Sequence, residues 1–176
     1  MKKAGAPEES AGSSMLSRLA AFPLLADIDA EDLSALAACA ENVTFAEGQT
    51  IFRHGDKAEH LYLLESGHVA LKLEVPGLHE RVVETLGAGE VLGWSWLTPP
   101  YRWHFDALAL QEVRAVRLEV SGVRSFLDTH PALGAVILYR CSITLLDRLQ
   151  STRHRLLDWY KKPSGPAPET SASDAL

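Results

Sequence analysis

The residues of this 176-residue chain that could do chemistry are concentrated between Leu86 and Leu110, in the stretch LGAGEVLGWSWLTPPYRWHFDALAL. A glycine-rich turn there leads into a short amphipathic segment, whose start would leave backbone N–H groups facing an anion. Arg102 follows a double proline and would add a full positive charge with several donors. Trp94, Trp96, Tyr101, Trp103, His104 and Phe105 crowd the same stretch. Rings in that number stack on a flat ligand or fill a core. Together these residues describe a pocket for a small anionic molecule. Taken alone the signal is thin, because glycines at strand ends are most often plain turns.

Little else in the chain competes with that stretch. Seven histidines are scattered without metal-ligand spacing. No GxSxG and no paired nucleophile and base stand out, so the chain reads as a non-enzyme with no cofactor. Cys39 and Cys141 form no CxxC and are expected as buried free thiols in a reducing compartment. No leader-like segment and no membrane-length apolar run is present, so a cytoplasmic location is expected. A net charge of −6 without a basic cluster argues against direct binding of nucleic acid.

The elements that must position the stretch follow from periodicity. A hydrophobic fraction of 47% suits one domain with its own core. That domain is expected over residues 15–162, between polar tails at 1–14 and 163–176 that read as disordered. Residues 15–42 read as helical. Leu16, Leu19 and Phe22 form a short helix stopped by Pro23, and Leu33, Leu36, Ala37 and Ala40 repeat at helical spacing behind Asp29 as a cap. Over residues 43–120 the period changes to two. Turns at Glu47-Gly48, Gly55-Asp56 and Ser66-Gly67, after Leu86, and at Gln111-Glu112 divide the run into about eight short strands. That pattern predicts an antiparallel sandwich or barrel. Residues 121–162 return to helix. Ser121 is the cap of SGVRSFLDTH, and Pro131 opens a long helix. In it Leu138, Ser142, Leu145, Leu149, Thr152, Leu156 and Trp159 alternate by four and three, which is a heptad seam. The helix either lies along its own core or joins a second copy, and the homodimer is the favoured reading. Ser142 and Thr152, as polar seam positions, fix register or face a ligand. No helix-turn-helix follows.

Four motifs, EGQTIFRHGD, LYLLESGHVAL, LGAGEVLG and SFLDTHPALGAVIL with RLQSTR, carry a family signal from Leu24 to about Tyr160. The chain resembles the cyclic nucleotide-binding domains of the catabolite activator protein superfamily. The resemblance implies an α+β fold. Its parts are a jelly-roll-like antiparallel β-roll of about eight strands, N-terminal helices, a B helix, and a long C helix that dimerises. It also implies an allosteric site for cAMP or cGMP under a phosphate-binding cassette. The cassette itself departs from the family pattern. The family places a glutamate for the ribose 2′-hydroxyl after the cassette's first glycine, whereas here Gly93 is followed by Trp94, and Glu90 lies in the preceding turn. Counted back from ALALQEV, the family's phosphate-pairing arginine falls on Trp103. His104 follows it and Arg102 is one residue away. A one-residue slip in a strand turns a side chain to the other face, whereas a re-cut loop after Pro99-Pro100 would bring Arg102 in.

By position the resemblance further implies that Val83 and Leu86 line the base and sugar. Ser95 would offer its N–H and hydroxyl near the phosphate, and Thr152 its hydroxyl to the purine amine. Trp94 and Trp103 either contact a ligand or fill the old pocket as core. The function expected on this footing is a stand-alone regulatory sensor of a cyclic nucleotide or related small anion. It would signal through the C helix to an effector protein. The alternatives are a ligand-free dimerisation or scaffold module, and transcription regulation through a partner chain.

Overall fold

The computed structural model of the protein describes residues 15–73 and 81–161, the last seven by backbone alone. Both expected tails, and the side chains of Leu156 and Trp159, lie outside the described residues. Eight strands follow two short N-terminal helices: β1 Ala40–Phe45, β2 Thr50–Phe52, β3 His60–Ser66, β4 Val69–Leu73, β5 Arg81–Leu86, β6 Val91–Leu92, β7 Asp106–Ala109 and β8 Val113–Glu119. They form two four-stranded sheets in the orders β1-β8-β3-β6 and β2-β7-β4-β5. Every pairing is antiparallel. This is the jelly-roll-like β-roll that the family resemblance implies, and it is one of the antiparallel forms that the alternating pattern predicts.

The strand residues account for the layers. In β8, Val113, Ala115, Val116 and Leu118 are buried while Arg114 and Arg117 stay out. Arg117 reaches across to pair with Glu41 of β1. In β3 the alternation disappears, and Leu61, Tyr62, Leu63 and Leu64 are all buried. A strand covered on both faces reads as a continuous apolar run. β3 lies between β8 and β6, and Tyr62 packs edge-on to Phe45 at 5.9 Å and against Phe52 at 6.3 Å.

The N-terminal helices are α1, residues 15–20, and α2, Ala30–Ala37, with a 3-10 turn Pro23–Leu25 between them. Arg18 of α1 pairs with Glu65 of β3 and donates to Asn42 of β1, which ties α1 to the sheet. Asp29 holds the N-cap position of α2 without a side-chain cap bond. Helix α1 ends at Ala20, short of the Phe22 that the sequence reading includes, and the start of β1 differs as well. Strand β1 begins at Ala40 rather than Val43, because β8 draws it back: Ala40 pairs with Leu118, and the Glu119 N–H donates to the Cys39 carbonyl at 3.0 Å. Cross-strand pairing overrides the helical spacing that Ala40 shares with Leu36. Cys39 is half-buried rather than buried, with its Sγ 3.2 Å from the Leu36 carbonyl. Cys141 is buried, and burial pushes its thiol up to about 11.

Helix α3, Val120–Thr129, leaves β8 without a loop. Glu119, not Ser121, occupies its N-cap, and the Ser121 hydroxyl donates to the Glu119 carboxylate at 2.7 Å. Val123 and Phe126 bury one face of α3. His130 stacks on Phe126 at 4.6 Å and stands 3.6 Å from Asp32 of α2. Helix α4, Pro131–Lys161, follows. Its first turns, through Ile137, belong to the compact unit of the β-roll, and residues from Leu138 on form a unit of their own. No helix among the described residues is long and apolar enough to cross a membrane.

Gly122 in α3 is a close approach. A Cβ there would lie 2.4 Å from Cys39 Cβ and 2.7 Å from its Sγ. In an exposed helix, Gly→Ala stabilises by about 1 kcal/mol. Here the added methyl meets backbone-proximal atoms, and overpacking of that kind costs about 1–3 kcal/mol. Gly122→Ala is therefore expected to lower the melting temperature, and Cys39→Gly in the same chain to restore part of it. Thermal unfolding followed by circular dichroism checks both, and a rise in the single variant would refute the contact.

Candidate functional site

The candidate site is the segment joining β5 to β7, and its backbone is fixed from three sides. Leu86, fully buried, ends β5. In the turn that follows, the Glu90 carboxylate accepts the Gly87 N–H at 2.7 Å. The same turn hooks onto β3, where Gly89 N–H donates to the Leu64 carbonyl and Leu64 N–H to the Glu90 carbonyl. Strand β6 is only Val91 and Leu92, both buried and paired with Leu63 and Tyr62. Gly93 then takes the left-handed conformation, φ 102° and ψ 61°, and a 3-10 turn Trp94–Leu97 follows. The chain passes a cis Pro99-Pro100 bond and Tyr101 at φ 58°. It returns along the β2–β3 connection with Ala58 N–H to the Tyr101 carbonyl, Trp103 N–H to the Asp56 carbonyl and Gly55 N–H to the Trp103 carbonyl, each 2.9 Å.

Trp103 decides how this segment is used. It is 4% exposed and stacks on Phe52 with ring centroids 3.9 Å apart and planes 11° from parallel. Its ring edge reaches the left-handed glycine. A Cβ at Gly93 would lie 3.0 Å from Cη2 of Trp103 and 3.2 Å from the His60 carbonyl. Glycine is required there twice, by its φ and by the space the indole takes.

Trp103 is buried, whereas Arg102 before it and His104 after it, the latter in a bend, are exposed. Arg102 Nη1 donates to the Gly55 carbonyl at 2.7 Å. His104 Nδ1 lies 2.9 Å from the Ser95 hydroxyl. The structure thus brings Gly93 together with Trp103, and Ser95 together with His104, and turns Arg102 to the β2–β3 turn. Val83 is half-buried on β5, and Trp94 is half-buried at the start of the 3-10 turn. Thr152 sits beyond Leu138 on α4, where its hydroxyl donates to the Arg148 carbonyl of its own helix at 2.9 Å. No cluster of three or more His, Cys, Asp or Glu suited to a metal ion occurs among the described residues.

One residue escapes the sequence reading. Arg124 of α3 donates to the Trp96 carbonyl at 2.6 Å, and its guanidinium lies 4.5 Å from the centre of the Tyr101 ring. It therefore holds both ends of the cassette loop. The available signal was a single basic residue in an otherwise amphipathic ten-residue helix, with a run of aromatics elsewhere to receive it. Behind Gly93, burial and the nearby Arg117 keep His60 less basic than an ordinary histidine.

A family model described as the cyclic nucleotide-binding domain matches residues 42–130. The CRP-like cAMP-activated global transcriptional regulator of Mycobacterium tuberculosis is 26% identical over 140 residues, which is 80% of this chain and 61% of that protein. The chain thus spans about three fifths of the length of the curated relative it matches. Among solved structures, the N-terminal domain of a transcriptional regulator from Streptomyces coelicolor is 28% identical with a TM-score of 0.60, covering 78% of this chain and 94% of that one. A cyclic nucleotide-binding domain from Methylobacillus flagellatus superposes with a TM-score of 0.71 at 19% identity, over 85% and 84% of the two chains, a likeness of fold.

Two outcomes follow from this geometry. Arg124→Ala removes a charged hydrogen bond worth about 2 kcal/mol and the contact with Tyr101. Amide hydrogen exchange is expected to speed up over residues 94–101 and to stay slow in β8; unchanged exchange in the loop would show that the sheet alone holds it. For His60 the depressed folded pKa means that the unfolded chain takes the proton first as pH falls below about 6.5. The stability tied to neutral His60 is present above that pH and lost on acidification. His60→Gln is expected to flatten the dependence of urea midpoints on pH between 7 and 5.

Proposed function

The chain belongs to the cyclic nucleotide-binding domain family, and from that premise we propose a regulatory sensor that takes cAMP or cGMP into its cassette and passes the event to an effector protein through α4. One observation carries the reading. The cassette backbone is complete, from buried β6 through left-handed Gly93 and the 3-10 turn to β7, although the side chains placed on it have changed. Val83, Leu86, Gly93, Trp94 and Ser95 are the proposed contacts for base, sugar and phosphate. Arg102 and His104 are the candidate charged partners on the outer side, and Trp103 forms the floor beneath Gly93. The Mycobacterium relative is by its name cAMP-activated, which makes cAMP the first ligand to test.

Trp94 stands where the resemblance asks for a ribose acceptor. An absent hydrogen bond of that kind costs about 1–3 kcal/mol, so the proposed affinity is micromolar rather than tighter. The effector surface is proposed on a homodimer. Leu138, Tyr139, Ile143, Leu145, Leu146 and Leu149 of α4 are all more than a third exposed; all but Leu138 are linked at spacings of three and four, and Leu138 stands one heptad before Leu145, as a helix that meets another helix requires.

A second reading has its own support. Trp103 packed flat on Phe52 and against Gly93 suits a domain whose pocket has been filled and which serves as a dimerisation scaffold. Intrinsic fluorescence separates the two, because three of the four tryptophans lie in the cassette. A saturable change with micromolar cAMP or cGMP supports the sensor, and a flat response to millimolar ligand supports the scaffold. Leu145→Glu with Leu149→Glu is expected to halve the mass seen in sedimentation equilibrium. A monomeric parent chain would refute the dimer.

A further inference from the structure

We infer that the charged partner for the ligand's phosphodiester in this cassette is the imidazolium of His104, acting with the Ser95 hydroxyl, so that protonation sets the affinity. The inference rests on the reading above, that the cassette takes a cyclic nucleotide. A phosphodiester anion settling among indole rings needs a full charge and several donors, or its desolvation goes uncompensated. Among the described residues, Arg102 and His104 lie on the cassette segment itself and Arg124 bonds it from α3. Arg124 is directed to the Trp96 carbonyl and the Tyr101 ring. Arg102 is directed to the Gly55 carbonyl, away from the 3-10 turn. Of the three, His104 alone meets a side chain of the turn, the Ser95 hydroxyl, two residues after Gly93.

The 2.9 Å Ser95–His104 contact fixes what each group offers. In the charged ring both nitrogens donate. Nδ1–H donates a hydrogen bond to Ser95 Oγ, which leaves the Ser95 O–H and the Nε2–H to donate to two phosphate oxygens. In the neutral ring one of those donors and the charge are gone. The charged or titratable groups on the segments that meet the cassette include Arg102 and Asp106 on its own, Arg53, His54, Asp56, Lys57 and Glu59 on the β2–β3 connection, His60 at the start of β3 and Arg124 on α3. The Asp106 carboxylate is engaged by the His54 N–H at 2.7 Å. A histidine changes charge between about pH 5 and 8, a range over which the phosphodiester stays a monoanion.

The test is isothermal titration of the full chain with cAMP, cGMP and the neutral nucleoside adenosine at pH 5.5, 6.5, 7.5 and 8. The expected result is cyclic-nucleotide affinity about ten-fold tighter at pH 5.5 than at pH 8, with no such trend for adenosine. His104→Gln removes the trend and leaves affinity at the high-pH value. His104→Arg gives pH-independent affinity at or above the low-pH value. Circular dichroism across the same pH range shows whether each variant is folded, and the arginine variant keeps the test decisive if the glutamine variant is not. Binding that does not vary with pH, or a trend that survives in His104→Gln, overturns the role of His104 while the sensor reading stands. Absence of binding at every pH overturns both.

Discussion

The indole of Trp103 lying flat on Phe52 at 3.9 Å holds the functional end of the molecule in one arrangement. Offset ring pairs of this kind contribute about 0.5–1.5 kcal/mol beyond the area they bury, but the geometric effect is larger than the energy suggests. The ring joins the end of β2 to the strand entering β7, and its edge fixes Gly93 as glycine. The main chain of the same residue bonds Asp56 and Gly55. Three stretches of the chain, residues 52–56, Gly93 and the strand entering β7, therefore meet at one residue. Its neighbours on either side, Arg102 and His104, are left exposed.

That dependence explains how much could be read from the sequence. The β-roll was legible because its signals are local: period-two apolar residues, and glycine turns at Gly48, Gly55 and Gly67 that recur as left-handed residues in the structure. The cassette was legible as a backbone for the same reason, from Gly89 and Gly93. Its side-chain directions were not. Whether Trp103 or Arg102 faces inward depends on the partner that Phe52 provides, fifty residues earlier in the chain. Arg124 was invisible because a lone arginine on an amphipathic helix has the composition of an ordinary solvated face. The start of β1 was misplaced because Ala40 fits both a helix and a strand, and only pairing with Leu118 decides.

On α4 the heptad reading selects one stripe of the helix, Leu138, Leu145 and Leu149, and these are exposed. Tyr139, Ile143 and Leu146 are exposed as well, on an adjacent stripe that the seam does not include. The polar seam residues also behave locally. Ser142 and Thr152 return their hydroxyls to carbonyls of their own helix, Tyr139 and Arg148. A hydroxyl bonded in this way satisfies itself inside an apolar setting at little cost. The apolar arc is thus broader than two-stranded heptad packing alone calls for.

The pairing of β1 with β8, Ala40 to Leu118 through Phe45 to Val113, bears on how the molecule is made. Among the described residues β8 is the only strand that pairs with β1, and it is the last strand of the roll. A ribosome releases the chain from its N-terminus, at about 5–20 residues per second. During synthesis β1 must wait for several seconds with its hydrogen-bonding edge open, while more than sixty residues follow it. Contacts between such distant positions also slow folding of the released chain. The strand that emerges first is completed by the strand that emerges last, and until then the β1-β8-β3-β6 sheet is not whole, whereas the β2-β7-β4-β5 sheet needs no strand beyond β7.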